Sequence, residues 1–259
     1  MVDRNLSCSA LTLRVRASGE SNREAWFLSA EEGLIRATVF GGPKSRLRSR
    51  VAPYHQGVLY LYQDPVRESR KVQDFDVQSY RTGIRELYER LQTASALAET
   101  ILSSHGGGGN WQGALELGSS VLDALERAEK EACTALGVYF MWHWAQILGL
   151  RPDISVCGGC SAPSGSLKDR RAPLWYSLQR ETLYCEGCRQ KLRSITDSTQ
   201  WLPLDQGALT WLLDIEGQEA QALLQGPSPP LPSLERARGL ASAVLALSLG
   251  KRLPSWEGI

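Results

Sequence analysis

The chain has 259 residues, 42% of them aliphatic, aromatic or cysteine, and a formal net charge of +1 at pH 7. This length suits one large domain or two to three small ones, and this composition supports a packed core. The longest apolar run, Leu240 to Leu249, is far shorter than the roughly 18 residues of a membrane span, and Met1 to Asn5 lack the pattern of a secretory signal, so we expect a cytoplasmic protein that does not enter a membrane.

Residues 8–76 show the alternation of apolar and polar side chains that is typical of half-buried β-strands. Turn-forming residues divide this region into short segments. The predicted strands are residues 8–16, 25–29, 34–40, 57–62 and 72–77. Because no helix-length apolar pattern interrupts them, they suit a small closed barrel, and the OB-fold is the simplest candidate.

A basic segment follows the third predicted strand. Its cations Lys44, Arg46, Arg48 and Arg50 alternate with other residues, so an extended loop would project all four to one side. No carboxylate lies within residues 41–50. A solvated loop is the ordinary interpretation of a basic run. Beside an OB barrel, which binds single strands with a basic groove and stacking side chains, the segment is also a candidate DNA contact.

The predicted strands contribute three more cations, Arg14, Arg16 and Arg36. Arg14 and Arg16 share a strand face, which must be exposed or paired with anions. Several aromatic residues nearby are able to stack on bases, but we expect each of them to pack in the core or across strands instead. These aromatic residues are Trp26, Phe40, Tyr54, Tyr60 and Tyr62. The candidate DNA-binding residues are Arg14, Arg16, Arg36, Lys44, Arg46, Arg48 and Arg50.

From about Ser79 the apolar residues follow the i, i+3, i+4 spacing of helices. The first predicted helix has about 22 residues and ends before Gly106 to Gly109, which lack the Gly-Lys-Ser/Thr of a phosphate-binding loop and are interpreted as a flexible connection. Residues 113–127 and 128–148 form two more predicted helices. The last of these is apolar nearly all round, as in the centre of a bundle.

Two residues bear on that central helix. His143 within it is interpreted as a packed, hydrogen-bonded core residue, and Pro152 is predicted to end it.

After the last cysteine we predict a short helix over residues 189–195, an Asp205 cap on a helix over residues 206–213, and a final helix over residues 234–249. A break at residues 226–230 separates the last two helices, and the tail from residue 251 is expected to be loose.

Four cysteines form two C-x-x-C pairs, Cys157 with Cys160 and Cys185 with Cys188. Each pair can bind one metal ion from a tight turn, and two pairs complete the tetrahedral Cys₄ shell of a structural zinc site. Between the pairs lie an Arg/Pro-rich turn at residues 170–173 and two apolar pieces, residues 174–176 and 182–184, which are predicted to pair as a hairpin.

Other uses of these cysteines are weaker interpretations. Cys8 and Cys133 stand singly in apolar surroundings, as in a reduced cytosolic protein, which argues against two disulfides. A redox C-x-x-C ordinarily occurs alone at the start of a helix. A Cys₄ shell leaves no position for a catalytic water, and the sequence has no H-E-x-x-H motif. We therefore predict one structural Zn²⁺ ion and no catalytic residue.

The order of small barrel, helical bundle and Cys₄ insert resembles the RecO family of recombination mediators. Residues 10–22 look like that family's first strand and turn, residues 33–36 and 43–47 like its third strand and basic loop, and residues 149–157 like its helix exit into the zinc segment. One departure is Gly41-Gly42, which stands where the family has a more basic approach to the loop and predicts weaker DNA binding.

The predicted fold class is α+β, with three units. They are an N-terminal OB-fold β-barrel that binds nucleic acid (residues 1–78), an α-helical domain (79–152 and 189–259) and an inserted Cys₄ zinc-binding segment (153–188).

The resemblance implies a DNA repair and recombination mediator. Such a protein binds single- and double-stranded DNA, anneals complementary strands, and works with RecR and single-strand-binding protein in loading RecA. Lys44 and Arg46 fall on the family's basic loop, and the four cysteines fall on its zinc site. Annealing needs no general acid, base or nucleophile, so a non-enzymatic protein of the cytoplasm, associated with the nucleoid, is expected.

Two other functions remain open at this point. A zinc-stapled structural adaptor would leave the basic segment as a solvated face, and charge reversal there would not alter DNA affinity. A zinc-dependent nucleic-acid enzyme would need an open metal site, with zinc lost on mutation of a histidine or acidic residue.

Overall fold

The computed structural model describes residues 4–42, 45–166, 173–193 and 200–258. Its N-terminal part is a closed barrel with strand order β1-β2-β3-β5-β4. The strands are β1 Asn5–Ser18, β2 Asn22–Ser29, β3 Gly33–Val39, β4 Gln56–Asp64 and β5 Ser69–Ser79. β3 and β5 run parallel, and the other neighbouring pairs are antiparallel. The predicted α+β class, with a five-stranded barrel followed by helices, is confirmed.

The long strand β1 closes the barrel because its two halves have different partners. Its first half pairs with β4 and its second half with β2, and the register shifts between Thr12 and Arg14. Alternate residues of the strands fill the interior, as the sequence pattern predicted. Phe27 and Phe75 meet there edge to face, with ring centroids 5.9 Å apart.

The basic segment does not form the predicted extended loop. Residues Arg46–Arg50 form one short helix, α1, between β3 and β4. Leu47 and Val51 stand four residues apart on one side of this turn and both pack against the barrel interior. Burying them favours a helix over an extended chain. Arg46 and Arg50 consequently share a side, whereas Arg48 points elsewhere, and Lys44 lies outside the described residues.

The remaining longer helices cover much of the rest of the chain. They are α2 Tyr88–Ser103, α3 Trp111–Leu125, α4 Lys130–Ile147, α5 Glu186–Arg193, α6 Gln206–Asp214 and α7 Leu231–Leu249. The long helix predicted from about Ser79 is wrong in its first part, where a 3₁₀ turn at Thr82–Glu86 and an extended Leu87 precede α2. Among the described helices, none combines the length and apolar character needed to cross a bilayer.

The break before α2 places Arg81 at the joint between barrel and helices. Arg81 has a left-handed backbone (φ 45°), and its side chain is 1% exposed. It donates to the Tyr54 carbonyl oxygen (2.9 Å), Gln56 Oε1 (2.7 Å) and, from α3, Asp123 Oδ1 (2.6 Å). These bonds satisfy a buried guanidinium and join three segments of the chain.

The four glycines after α2 are packed in part, which corrects the interpretation of a flexible connection. All four have positive φ, between 66° and 113°, a conformation that glycine adopts without steric cost. Gly106 and Gly107 are buried. A Cβ at Gly106 would lie 3.2 Å from Leu34 of β3, and one at Gly107 would lie 2.9 Å from Ile147 of α4. This turn therefore packs closely against both the barrel and the helices.

Helix α4 is central, as predicted, because buried residues lie on nearly all of its sides. Its end is set by Gly149 (φ 71°) and not by Pro152. The amide of Gly149 donates to the Gln146 carbonyl oxygen (2.9 Å), which is the glycine-terminated helix end. His143 is half-buried and hydrogen-bonded, as predicted, with Nε2 3.0 Å from the Ile215 carbonyl oxygen.

The C-terminal tail is not loose. Trp256 is 4% exposed, and its Nε1 donates to Thr100 Oγ1 of α2 at 2.8 Å. Its ring stacks near Phe140 of α4, with centroids 6.1 Å apart. The tail is therefore fastened onto the helical core. The Asp205 cap is confirmed, since its side chain accepts from the Ala208 amide at 2.7 Å.

The larger hydrophobic cluster is continuous from the outer side of the barrel, through the helices, to the segment between the cysteines. The barrel contributes Leu28 and Tyr54, and the cysteine segment contributes Leu174, Tyr176 and Leu183. The three predicted units thus pack on one another, and their exact boundaries stay a prediction.

Candidate metal centre and nucleic-acid interface

A small sheet carries the cysteines. The predicted hairpin forms from β6 Leu174–Ser177 and β7 Thr182–Cys185, and β8 Trp201–Leu204, which had not been predicted, pairs with the other side of β6. The sequence pattern of β8 is only four residues long and lies outside the segment bounded by cysteines. Most of the predicted Arg/Pro-rich turn lies outside the described residues.

The four predicted metal ligands lie together. The Sγ atoms of Cys157, Cys160, Cys185 and Cys188 are all within 4.8 Å of one another. A tetrahedral ion with bonds of about 2.3 Å would hold four sulfurs roughly 3.8 Å apart, so only small movements separate this cluster from a metal shell. Cys157 is buried and Cys160 is exposed. The set can hold one metal ion.

Local backbone structure explains how the two pairs meet. The first pair occupies a tight turn, in which the Ser161 amide donates to the Cys157 carbonyl oxygen at 2.8 Å. The second pair spans a strand end and a helix start, since β7 ends at Cys185 and α5 begins at Glu186. The Cys185 amide donates to Cys157 Sγ at 3.3 Å and so ties the two turns together.

The glycines between the first two cysteines are required by close contacts. A Cβ at Gly159 would lie 2.7 Å from Cys188 Cβ and 2.8 Å from its Sγ. A Cβ at Gly158 would lie 2.1 Å from Thr182 Cγ2. A larger residue at Gly159 would push the two cysteine turns apart, and one at Gly158 would displace the Thr182 side chain of β7.

The thiols influence one another strongly. Burial disfavours the Cys157 thiolate, but hydrogen bonds from the Cys185, Gly159 and Cys160 amides outweigh it and lower the pKa of Cys157 to about 7. Burial raises the pKa of Cys188 to about 12, together with its hydrogen bonds to the other three sulfurs and the charge on Cys157. The protein alone therefore disfavours several thiolates side by side, and a cation among them would offset that repulsion.

An aromatic and charged cluster supports the second pair. The Arg189 guanidinium carbon lies 3.5 Å from the centroid of the Trp175 ring, and Arg189 pairs with Glu186 at 2.9 Å. Glu186 also accepts from Trp175 Nε1. Because Glu186 and Arg189 flank Cys188 on α5, this cluster fixes that helix to the sheet. Sequence reasoning missed these three residues, although the spacing of Glu186 and Arg189 is that of a helical pair.

The predicted cations of the barrel strands fall on its outer surface. Arg14 of β1 and Arg36 of β3 stand directly across from Trp26 of β2, one on each side. Arg16 lies two residues further along, opposite Glu24. Arg16 and Arg36 are exposed and Arg14 is half-buried. Arg36 is paired with Glu24 at 2.5 Å, so the three cations share this surface with one carboxylate.

The cations of α1 are separated by the helix and partly neutralised. Arg50 pairs with Asp74 of β5 at 2.7 Å. The absence of carboxylates within residues 41–50 therefore does not leave every cation unpaired, since the fold brings one from 24 residues away. Arg46 is exposed and Arg48 is half-exposed. Within the described residues, neither of these two has an ion-pair partner closer than 4.0 Å.

Arg23 joins this surface without having been predicted. Its Nη1 donates to the Arg48 carbonyl oxygen at 3.3 Å, which connects β2 to α1. Partial desolvation lowers the pKa of Arg23, and the charge of Arg48 lowers it further. The predicted second strand began at residue 25, whereas β2 begins at Asn22, so sequence reasoning had left Arg23 outside the strand. Two neighbouring guanidinium groups favour a bound anion.

Comparisons with known proteins find similarity to the RecO family. The family model described as "Recombination protein O N terminal" matches residues 1–80, the extent of the barrel. The DNA repair protein RecO of Synechococcus sp. (strain JA-3-3Ab) is 27% identical over 260 residues, covering 95% of this chain and 78% of that protein.

A second similar protein carries the same name. The DNA repair protein RecO of Maridesulfovibrio salexigens is 24% identical over 194 residues, covering 72% of this chain and 76% of that protein. The match of residues 1–80 to the family model, the two relatives and the order of barrel and helices support the similarity of this chain to the RecO family.

Proposed function

We propose that this protein is a non-enzymatic mediator of DNA repair and recombination that binds single- and double-stranded DNA and anneals complementary strands. Similarity to the RecO family supports the role in repair and recombination. The observation that carries DNA binding is the cationic surface of the barrel, where Arg14 and Arg36 flank Trp26 on three adjacent strands. OB barrels bind nucleic acid with surfaces of this kind.

The proposed mechanism is electrostatic. Arg14, Arg16, Arg23 and the cations of α1 contact phosphates and release counterions, which gives an affinity that does not depend on sequence and falls with salt. Two complementary strands held with their charge screened can then pair. This step moves no proton and breaks no bond, so it needs no catalytic side chain.

The four cysteines are proposed to hold one structural Zn²⁺ ion. Their all-sulfur donor set, the short distances between the sulfurs and the repulsion between their thiolates fit that ion. A bound zinc ion would supply positive charge and four bonds that tie the hairpin to α5. All four positions would be taken by cysteine, so its role would be structural.

The proposed partners follow from the family resemblance. They are RecR, single-strand-binding protein and, indirectly, RecA, which the protein would help to load onto strands covered by single-strand-binding protein. The proposed location is the cytoplasm, with the protein associated with the nucleoid. No residues are assigned to these partner contacts.

A salt titration of single-stranded DNA binding tests the proposal. The test variant replaces three cations of the barrel surface that have no carboxylate within 4.0 Å among the described residues: Arg14→Gln, Arg46→Gln and Arg48→Gln. Each phosphate contact on a single strand contributes a slope of about 0.7 to the dependence of log K on log salt, so losing three contacts should lower the slope by about 2. The measurement is fluorescence anisotropy of a labelled oligonucleotide at several salt concentrations.

The matched control removes the same charge from the helical part. It carries Arg127→Gln, Lys251→Gln and Arg252→Gln, all at exposed positions. We expect its slope to equal that of the wild type. Equal slopes for all three proteins, or no binding by the wild type, would contradict DNA binding by this surface.

One observation favours a second function, that of a zinc-stapled adaptor without direct DNA binding. Two of the candidate cations, Arg36 and Arg50, already have carboxylate partners. In an adaptor the remaining cations would only be solvated, and the salt titration would find no binding to weaken.

A further inference from the structure

Trp26 is an outward-facing tryptophan that belongs to neither hydrophobic core. Its neighbours in β2, Ala25 and Phe27, are buried in the barrel interior, and Leu28 packs against the helical core. Trp26 itself is half-buried on the outer face. The sequence had indicated that each aromatic residue here would pack in the core or across strands, and for Trp26 the core is excluded.

The surroundings of Trp26 are cationic. The guanidinium carbons of Arg16 and Arg36 each lie 5.7 Å from the centroid of its ring. Arg14 and Arg36 are its direct neighbours on the two adjoining strands. With strands about 5 Å apart, the cations of β1 and β3 flank the indole over roughly 10 Å. One carboxylate, Glu24, lies within this group, so the site retains positive charge.

The indole N–H of Trp26 is also unused. Within the described residues it has no hydrogen-bond partner, whereas the Nε1 atoms of the buried Trp142, Trp144 and Trp256 all donate to oxygen atoms. An aromatic ring outside the core, with an unused donor and positive charge on both sides, has the components of a site for a planar anionic ligand.

We propose that Trp26 is the stacking site for an unpaired nucleobase, with Arg14, Arg16 and Arg36 holding the phosphates on either side of that base. This inference rests on the proposed function and deepens it, because it gives the barrel surface a preference for single strands. In a duplex, neighbouring base pairs cover both faces of each base, and the backbone alone remains accessible. A single strand can offer a base to the indole.

The alternative is that Trp26 serves only the barrel, through cross-strand and cation–π packing with its arginines. This role predicts a loss of stability on truncation but no dependence on whether the ligand carries bases. The test must therefore compare ligands that have the same phosphates with and without bases.

The experiment measures the affinity of the full chain for an oligothymidylate and for an abasic oligonucleotide of equal length, at one fixed salt concentration. The wild type should bind the oligothymidylate about 5- to 150-fold more tightly, the range for one stacked base. Trp26→Ala should abolish this ratio and leave the affinity for the abasic strand unchanged, and Trp26→Phe should retain part of it. Tyr88→Ala, at an exposed tyrosine of α2, is the matched control and should keep the full ratio.

Each other outcome has a distinct meaning. If Trp26→Ala keeps the wild-type ratio of the two affinities, including by weakening the binding of both ligands equally, the proposal that a base stacks on Trp26 is overturned. DNA binding by the barrel then still stands. A wild type that binds both ligands equally overturns it too. A wild type that binds neither ligand overturns the proposed function itself. Because Trp26→Phe retains an aromatic ring, it keeps the test decisive if Trp26→Ala fails to fold.

Discussion

The barrel and the cysteine segment are both small β structures, but they are held together differently. The barrel is closed, and alternating side chains from five strands fill its interior. The cysteine segment is an open sheet of three four-residue strands, with one side on the helical core and four sulfurs at one end. The β6–β7 hairpin would be marginally stable alone, and it depends on β8 and on packing against the helical core. The closed barrel has its own interior, whereas the short sheet relies on contacts outside itself, and a metal ion at its cysteine end would add to them.

Metal removal should therefore have the largest effect, and only on one of the two regions. In the zinc-loaded protein, Cys157→Ser or a strong chelator should expose the β6–β7 hairpin, because the remaining thiols cannot hold the two turns together. The barrel should keep its protection. Hydrogen–deuterium exchange, read separately for residues 174–185 and for residues 25–39, measures this difference.

A substitution in the barrel provides the reciprocal control. Cys8 is 4% exposed in the barrel interior, so Cys8→Ala removes packing there without touching the metal ligands. It should raise exchange in the barrel and leave the hairpin unchanged. If Cys157→Ser raised exchange in both regions equally, the two would form one cooperative unit and the contrast between them would be lost.

A smaller change should sharpen the comparison at the metal centre. Gly159→Ala places a methyl group 2.7 Å from Cys188 Cβ, so one cysteine turn must move. We expect metal affinity to fall about 10- to 100-fold, the usual range for changes beside the ligands. Competition with a chromophoric chelator measures the affinity.

The matched control for that variant lies on the same helix as Cys188. Gly187→Ala adds a Cβ that meets no atom within 4 Å, and alanine suits a helix better than glycine. Its metal affinity should equal that of the wild type. Equal losses in both variants would mean that the close contact at Gly159 does not position Cys188.

Sequence reasoning identified the parts of both regions whose structure is indicated by short local sequence patterns. The barrel strands follow from alternation, and the four cysteines and the hairpin between them follow from spacing. It failed where the decisive contact is distant in sequence. Arg50 meets Asp74 across 24 residues, and Trp256 meets Thr100 across 156 residues. The local pattern around Arg50 does not include Asp74, and the pattern around Trp256 does not include Thr100.

Another error arose where two local patterns competed. Residues 46–50 carry alternating cations, which suggested an extended loop, but Leu47 and Val51 also stand at helical spacing and their burial decided the structure. The barrel interior that buries them is formed by residues outside this segment. For Trp26 the sequence left core and cross-strand packing open, and the structure shows cross-strand neighbours, Arg14 and Arg36.

Acid should have the smallest effect, and of the two regions we expect it in the barrel. His55 is 4% exposed, and this burial is the main cause that lowers its pKa. The charges of Arg85 and Arg81 lower the pKa further, whereas the hydrogen bond to the Arg50 carbonyl oxygen raises it. A histidine with a lowered folded pKa binds fewer protons when folded, so its contribution to stability is present above the unfolded pKa of about 6.5 and is lost as pH falls below it. Exchange of residues 56–62 should thus rise between pH 7 and pH 5, and His55→Asn should reduce this rise. Because residues 153–188 contain no histidine, the hairpin of the zinc-loaded protein should show no matching step near pH 6.5. A step there that persists in His143→Asn would place the acid response in the cysteines, because burial also lowers the pKa of His143 in the helical core beneath the hairpin.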